Sequence, residues 1–283
     1  MKFTPLSIVL IILAAAAGFI LIWKQVNGLT TAYTRQRNAS LSSVPETDQQ
    51  ITRADLDGLP PALQRFFDYS QVVGTPRVRH FSVDFSGSMR MEEDGDWLPI
   101  RARQHTFVDE GRRLFLMKMK YRGLPMVGYH HYSPGDAYMT IRIMDLITVV
   151  HNQDDYMIKG ETVTWFNDLC LMAPGALLDA DVQWEAIDSR QVRGRLTRNG
   201  VTVEAVLTID DNGRLVNFVS PDRYAANNDG SYDNVPWSTP MHGFEEVNGY
   251  KLSTEGSGIW HYPDRENEYI RLKIEDVLIN PAK

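Results

Sequence analysis

The first 28 residues constrain this chain most, because they contain an apolar run long enough to cross a membrane. Residues 6–23 read LSIVLIILAAAAGFILIW and carry no charge. An uncharged apolar stretch of about 18 residues lies at the short end of what spans a bilayer as a helix. After Lys24 the chain becomes polar and charged. The pattern therefore predicts one N-terminal membrane helix, residues 1–28, that carries a water-exposed part.

The apolar run fits an uncleaved anchor better than a cleaved signal peptide. A signal peptide has an apolar core of about 7–15 residues, followed by small residues at a cleavage site. Residues 14–18 offer small residues, but the apolar run continues from Phe19 to Trp23. Trp23 and Lys24 match the aromatic residue and the cation that often end a membrane helix. A cleaved signal remains the alternative.

The water-exposed part is expected on the extracytoplasmic side of the cell membrane. Lys2 lies on one flank of the run, and Lys24, Arg35 and Arg37 lie on the other, so the positive-inside rule does not decide the orientation. The short N-terminal tail is typical of signal anchors that keep the N-terminus inside. We therefore expect a single-pass membrane protein with its domain outside the cytoplasm.

The rest of the chain divides into a tether and one domain. Residues 29–50 are rich in Ser, Thr and Gln and hold few large aliphatic side chains, which predicts a flexible tether. Residues 51–283 suffice for a single β-rich domain. The net charge of −7 argues against nucleic-acid binding, which needs a basic face. The single cysteine, Cys170, excludes an intramolecular disulfide, and its apolar neighbours indicate a buried thiol.

Alternation of apolar and polar residues dominates the domain. Residues 78–91 alternate for most of their length, which predicts a long strand with one buried face. Strand-like segments recur as far as residue 279, about twelve in all, and short turns such as Asn199-Gly200 and Asn248-Gly249 join them. Such short connections join antiparallel neighbours.

Two helices interrupt the strands. The first begins at Pro60-Pro61 and runs to Tyr69, and the second covers Glu161–Met172. A sheet of this size is expected to curl around something, most simply the helices. We predict a mainly β (α+β) fold, a large curved antiparallel sheet or half-barrel with one or two covering helices, preceded by a single transmembrane helix.

No segment matches a strong catalytic or cofactor motif. His130 and His131 are neighbours in a predicted strand, so they point to opposite faces and do not readily share one ion. The chain holds no Gly-x-Ser-x-Gly elbow and no glycine-rich phosphate loop. We expect no metal, no cofactor and no catalytic residue, and a binding role rather than an enzymatic one.

Aromatic residues and one arginine are the candidates for ligand binding. The tryptophans either cover the core or line an apolar pocket. Arg223-Tyr224 and Pro236-Trp237 flank a polar loop, so they are expected to share one corner, where the arginine either stacks structurally or contacts a ligand. The predicted ligand-binding residues are Trp97, Gln104, Trp165, Arg223, Tyr224 and Trp237.

Several short motifs occur together in a specific order. They are LPPALQRF at 59–66, WLPIRARQ at 97–104, GE at 160–161, PGALL at 174–178, VQW at 182–184, DRY at 222–224, PW at 236–237 and NGYK at 248–251. This order resembles a bacterial family of unknown function whose members often carry one N-terminal transmembrane segment, and the similarity covers residues 55–280. The order of elements is also similar to the half-barrel of lipoprotein carriers, a comparison of folds.

These features lead to three functional hypotheses. The first is a membrane-anchored, non-catalytic module that binds a lipid or another apolar ligand at the membrane surface. The second is an envelope hydrolase, which would need titratable groups such as His105, Asp168, Arg223 and Glu246 to meet in one pocket. The third is a structural or assembly partner of other envelope proteins, which an exposed apolar patch would favour.

Overall fold

The computed structural model describes residues 4–227 and 230–282. It begins with helix α1, Pro5–Asn27, whose N-cap Thr4 accepts a hydrogen bond from the Ser7 amide and whose first residue is a proline. At about 1.5 Å per residue, its 23 residues extend about 35 Å. Within the described part of the chain, one helical stretch is long and apolar enough to cross a membrane, and none of the residues in its most apolar window is buried.

The segment predicted as a flexible tether is helical in its first two thirds, so that prediction needs correction. Helix α2 covers Leu29–Ser43 and buries Leu29, Tyr33 and Ser40. Tyr33 follows Leu29 by four residues and Ser40 follows Tyr33 by seven, so all three lie on one side of the helix. Leu29 and Tyr33 join an apolar cluster with residues of the sheet, namely Phe107, Leu114, Leu116, Val127 and Tyr129. The sequence misled because most of the other residues of this helix are polar.

The strands follow one another with mostly short connections. They are β1 (His80–Met89), β2 (Leu98–Phe107), β3 (Arg112–Tyr121), β4 (Leu124–Ser133), β5 (Asp136–Ile143), β6 (Ile147–Asn152), β7 (Val182–Ala186), β8 (Gln191–Arg198), β9 (Val201–Ile209), β10 (Leu215–Ser220), β11 (Tyr224–Ala226), β12 (Tyr232–Asn234), β13 (Trp237–Ser238), β14 (Met241–Val247), β15 (Tyr250–His261) and β16 (Glu266–Ile279). Asn199-Gly200 and Asn248-Gly249 turn β8 into β9 and β14 into β15 with positive φ at both residues, as predicted.

Fourteen of these strands form one antiparallel sheet. Its order is β6-β5-β4-β3-β2-β1-β16-β15-β13-β10-β9-β8-β7, with β14 attached to β15, while β11 and β12 pair separately. The path has two edges, β6 and β7, so the sheet is not closed. The predicted fold class, a large curved antiparallel sheet with covering helices, is confirmed.

Two helices pack on this sheet. Helix α3, Pro61–Ser70, buries Leu63, Phe66 and Phe67 as the sequence predicted, and it contacts β8, β9 and β15. Helix α4 covers Asp155–Met172, so it begins six residues before the predicted start at Glu161. The Asp154 side chain caps it by accepting a hydrogen bond from the Met157 amide. Two short 3-10 helices, Arg53–Leu56 and Pro174–Leu178, complete the set.

Helix α2 begins at a junction with one end of the sheet. The Asp145 carboxylate accepts the Leu29 amide at 2.8 Å, and Arg142 donates to the Asn27 carbonyl at 2.8 Å. Asp145 lies in the turn between β5 and β6. The same end of the sheet carries the turns at 90–97, 122–123, 144–146 and 262–265, because neighbouring strands are antiparallel. We call it the anchor end, since α1 joins the sheet there.

Candidate ligand-binding cavity

Helix α4 crosses the concave face of the sheet and is buried on two sides. One side, with Val163, Phe166 and Leu169, packs into the main core. There the Phe166 ring lies 5.5 Å from the Phe218 ring and 5.9 Å from the Trp184 ring. The other side presents small or polar residues at helical spacing, among them Gly160, Glu161, Thr164, Asn167 and Asp168. The second side therefore leaves a space between helix and sheet.

That space is a cavity of about 290 Å³. Much of its wall is apolar and comes from the central strands, with Phe85, Phe115, Met117, Met139, Ile141 and Leu272 among the lining residues. Protein interiors hold few voids larger than a water molecule, so this volume exceeds a packing defect. It approaches the lower limit, about 300 Å³, of pockets that bind small molecules.

A buried polar cluster forms the part of the wall farther from the anchor end. Arg113 Nε donates to Asp168 Oδ2 at 2.6 Å, and Arg113 Nη1 donates to Glu161 Oε2 at 3.0 Å. Gln104 Nε2 also donates to Asp168 Oδ2, at 2.8 Å, and His130 Nδ1 lies 3.0 Å from Glu161 Oε1. Arg113 and the two carboxylates are each less than a tenth exposed. These bonds fix α4 to strands β2, β3 and β4.

The two carboxylates of the cluster differ in their electrostatics. Burial alone would raise the pKa of Glu161, but the charge of Arg113 and the hydrogen bond with His130 outweigh it and lower that pKa to about 2. Burial raises the pKa of Asp168 above its ordinary value, although Arg113 and Gln104 act against the shift. With a pKa this low, Glu161 is ionised at neutral pH. Gln104 Oε1 is a buried acceptor without a partner among the described residues.

The part of the cavity nearer the anchor end holds an arginine among aromatic rings. The Arg223 guanidinium lies 4.2 Å from the Trp237 ring centre and 5.5 Å from the Trp260 ring centre. Arg223 Nη1 and Trp237 Nε1 both donate to the Tyr269 hydroxyl, at 3.2 and 3.3 Å. Tyr269 is the fourth residue of β16, and Trp260 is the penultimate residue of β15, so both lie beside the turn at 262–265.

Three tyrosines border the cavity between α4 and the β11–β12 hairpin. The Tyr156 ring lies 4.8 Å from the Tyr224 ring and 4.6 Å from the Tyr232 ring. The Tyr232 hydroxyl donates to the Asp154 carboxylate that caps α4. Tyr156 is 48% exposed, so this side of the cavity reaches the solvent.

Four of the six predicted ligand-binding residues line this one cavity: Gln104, Arg223, Tyr224 and Trp237. The other two lie elsewhere. Trp97 lies outside the cavity, and the guanidinium groups of Arg90 and Arg271 lie 4.6 Å and 4.1 Å from its ring centre. Trp165 is fully buried on the core side of α4, with the Arg198 guanidinium 4.5 Å from its ring.

The four titratable groups that the hydrolase hypothesis requires do not converge. Asp168 and Arg223 line the cavity, but His105 faces the other side of the sheet, where its Nδ1 lies 2.9 Å from the Tyr33 hydroxyl. Burial lowers the pKa of His105 to about 4. Glu246 is exposed in β14, away from the cavity lining.

Sequence reasoning missed several cavity residues, chiefly Arg113, Glu161, His130, Trp260 and Tyr269. One signal was available: Glu161 and Asp168 are seven residues apart, so they share a face of any helix that contains both. The partners of this pair lie 31 to 64 positions away in the chain and depend on the register of the sheet.

Comparisons with known proteins place the domain within one family. DUF6544, described as a family of unknown function, matches residues 49–272. The family resemblance expected from the sequence is therefore confirmed. A search of curated proteins finds no match to the chain.

Three solved structures are similar to the chain. A Vibrio parahaemolyticus domain described as an outer membrane lipoprotein-sorting protein has 9% identity and a TM-score of 0.42, covering 72% of this chain and 86% of that one. LolA superfamily protein NE2245 from Nitrosomonas europaea has 13% identity and a TM-score of 0.39, and the match covers 78% of this chain and 93% of that one. A DUF1329 family protein from Desulfovibrio piger has 8% identity and a TM-score of 0.36, and the match covers 83% of this chain and 95% of that one.

Proposed function

This chain belongs to DUF6544, a family of unknown function, and on that premise we propose that it is a non-catalytic, membrane-tethered module that binds an apolar ligand. The ligand is a lipid or a molecule with a lipid-like chain. It occupies the cavity between α4 and the concave face of the sheet, and the module works at the surface of the membrane that holds α1.

The cavity is the observation that carries this proposal. Much of the wall around its volume of about 290 Å³ consists of methionine, phenylalanine, isoleucine and leucine side chains of the central strands. Filling it would remove apolar surface from water and restore contacts that a void lacks. Methionine suits such a wall because its flexible thioether adapts to different apolar shapes. The polar cluster keeps α4 fixed above this space rather than collapsed onto the sheet.

The membrane layout is part of the same proposal. Residues 1–28 anchor the chain, residues 51–283 form one β-rich domain, and the domain lies on the extracytoplasmic side. The end of α1 is fixed to the sheet, because its last residue, Asn27, accepts a hydrogen bond from Arg142, so an uncleaved α1 would hold the domain at the membrane surface. Leu124, Met144 and Ile147, near the same junction, are 46–64% exposed. Apolar side chains at this end suit the interfacial region of a bilayer.

Photo-cross-linking of the full chain in phosphatidylcholine vesicles tests the proposal. The probes are palmitate and hexadecanol, each with a diazirine in the middle of its chain, and the labelled peptides are mapped by mass spectrometry. We expect at least one probe to label the peptides of β3 and β5 that contain Met117 and Ile141, in addition to α1. Labelling confined to α1 and to exposed residues would overturn the proposal.

Variants that fill the cavity provide the matched control. Ile141→Trp places a large ring in the lining, and we expect several-fold less labelling of β3 and β5 with α1 labelling unchanged. Ile187→Trp makes the same exchange at a site that is 42% exposed and outside the cavity, so labelling should not change. If Ile141→Trp fails to fold, Met139→Trp replaces it in the experiment, because Met139 lies on the same face of β5 and also lines the cavity. Equal labelling in all variants would contradict a ligand in the cavity.

A further inference from the structure

We propose that Arg223 and Tyr269 bind the anionic head of the ligand, so that the ligand is a single-chain amphiphile with a terminal oxyanion. The inference rests on the proposed function and specifies its substrate class. The shared chemistry is a carboxylate or phosphate at one end of one acyl chain, as in a fatty acid or a lysophospholipid.

Arg223 forms no direct ion pair with a described residue, unlike the other cavity arginine, although its charge acts on Glu161 from a distance and helps to lower the pKa of that carboxyl. Arg113 forms ion pairs with both Glu161 and Asp168. Arg223 lines the same cavity, is partly buried, and has no carboxylate within 4.0 Å among the residues that the structure describes. Buried charges are normally paired, so a half-buried guanidinium at the edge of an apolar space favours an anion as its missing partner.

The Tyr269 hydroxyl adds a second donor at the same place. Its oxygen accepts hydrogen bonds from both Arg223 Nη1 and Trp237 Nε1. A hydroxyl that accepts twice still has its own proton to donate, and Tyr269 lines the cavity. The free N–H groups of Arg223 and the O–H of Tyr269 therefore offer at least two donors to one oxyanion.

The indole rings hold the guanidinium in position. Stacking on Trp237 and Trp260 orients its plane while leaving its edge N–H groups free, because ring faces do not use them. The side chain also packs against helix α4, where Arg223 Cγ would lie 3.6 Å from a Cβ at Gly160. The arginine is thus preorganised, which reduces the entropy lost on binding.

The remainder of the cavity fits one chain rather than two. Its apolar wall extends from Trp260 and Ile270 through Leu272 and Met117 to Phe85. At about 290 Å³ it lies near the lower limit of small-molecule pockets, which favours a single acyl chain over a diacyl lipid. The head subsite lies at the anchor end, so the ligand enters with its polar group toward the membrane surface.

The experiment compares matched probes in the full chain at pH 8. Palmitate and lysophosphatidate with the same mid-chain diazirine are set against the neutral hexadecanol analogue. We expect at least one anionic probe to label the β3 and β5 peptides about tenfold more than hexadecanol does. Arg223→Met should bring that probe down to the hexadecanol level and leave hexadecanol labelling unchanged. Arg223→Lys, which retains the charge, should recover part of the difference.

Other outcomes separate the two proposals. If hexadecanol and both anionic probes label the cavity equally in the wild type and in Arg223→Met, the head subsite is wrong and the apolar cavity stands. If no probe labels the cavity, both proposals fail. If Arg223→Met lowers all probes alike together with thermal stability, Arg223 is structural and the head subsite is wrong. Arg90→Met is the control, since Arg90 also stacks on an indole but outside the cavity.

Discussion

Gln104 and His105, adjacent in strand β2, connect two different helices to opposite faces of the sheet. Gln104 Nε2 donates to Asp168 of α4 on the concave face, at 2.8 Å, whereas His105 Nδ1 lies 2.9 Å from the Tyr33 hydroxyl of α2 on the convex face. Successive strand residues point to opposite sides, so one dipeptide joins the cavity wall to helix α2.

Loss of the buried arginine should destabilise the domain strongly. Arg113→Met leaves Glu161 and Asp168 buried without their cation, and we expect a loss of about 3–5 kcal/mol in the free energy of unfolding. Urea unfolding of the full chain in detergent, followed by circular dichroism, measures it. Arg103→Met is the control, because its pair with Asp84 is about half exposed and should contribute at most about 1 kcal/mol. Equal losses in the two variants would contradict the role of the cluster.

Stability should fall in acid in a way that depends on Glu161. The pKa of Glu161 falls from its ordinary value of 4.5 to about 2 in the folded chain. Its ionised carboxylate therefore stabilises the folded state at a pH above about 4.5. That contribution, on the order of 3 kcal/mol, disappears as the pH falls from about 4.5 to about 2. Asp168, whose pKa is raised, acts in the opposite direction.

Unfolding at pH 6 and pH 3 measures this dependence. Glu161→Gln should lower stability at pH 6 and show a smaller loss between the two pH values than the wild type. Glu185→Gln, a change at an exposed carboxylate, should retain the wild-type loss. A wild-type loss that is unchanged in Glu161→Gln would show that other groups control acid stability.

Helix α2 should be protected against hydrogen exchange, and Tyr33 should be the cause. Tyr33 is 3% exposed and lies among sheet residues. Tyr33→Ala removes a buried aromatic ring, at a cost of about 3–5 kcal/mol in local packing. We expect the amides of residues 29–43 to lose protection while those of α4 keep theirs. Thr34→Ala, at an exposed position, should change neither. Fast exchange of residues 29–43 in the wild type would contradict a stable α2 and support the flexible tether predicted from the sequence.

Brominated fatty acids should quench tryptophan fluorescence according to where the bromine lies. With the head group at Arg223, a bromine beside the carboxylate comes close to Trp237 and Trp260, whereas a bromine at the chain end does not. We expect stronger quenching by the head-brominated probe, measured in a Trp23→Phe background that removes the tryptophan of α1. Trp237→Phe should reduce the difference. Stronger quenching by the tail-brominated probe would reverse the orientation of the ligand.

The side of the membrane can be read from cysteine labelling in spheroplasts. The native Cys170 is buried and burial raises its pKa, so the wild type should not react with an impermeant maleimide. Ser189→Cys places a thiol at an exposed position. We expect it to be labelled before lysis, as an extracytoplasmic domain requires. Labelling only after lysis would place the domain in the cytoplasm.

Local patterns sufficed for most of the fold, because they depend on residues close in sequence. The alternation at 78–91 predicted β1, and Asn-Gly pairs predicted two hairpin turns that have the required positive φ. Helix α2 was missed because its stability comes from contacts between Tyr33 and strands 72 or more residues away. Its polar composition gives little sign of this.

The cavity was harder to predict than the sheet. Arg223, Tyr224 and Trp237 flank one loop, so the chain itself brings them together. Arg113 and Asp168 are 55 residues apart and meet only through the register of β2 and β3 and the crossing of α4. Trp97 and Trp165 resembled the other aromatic candidates in sequence. The direction of the Trp97 side chain depends on the turn before β2, and that of Trp165 depends on its face of helix α4.

Because α2 packs against the sheet, it limits how far the domain can move from the end of α1. A flexible chain of 22 residues would let the domain drift about 25 Å from the point where α1 ends. With α2 folded along the convex face and Gly28 fixed beside Asp145, that slack is absent. A chain held in a bilayer by α1 therefore cannot cross to a second membrane with its cargo. Under the proposed function, it would exchange ligand only with its own bilayer, or with proteins that come to it.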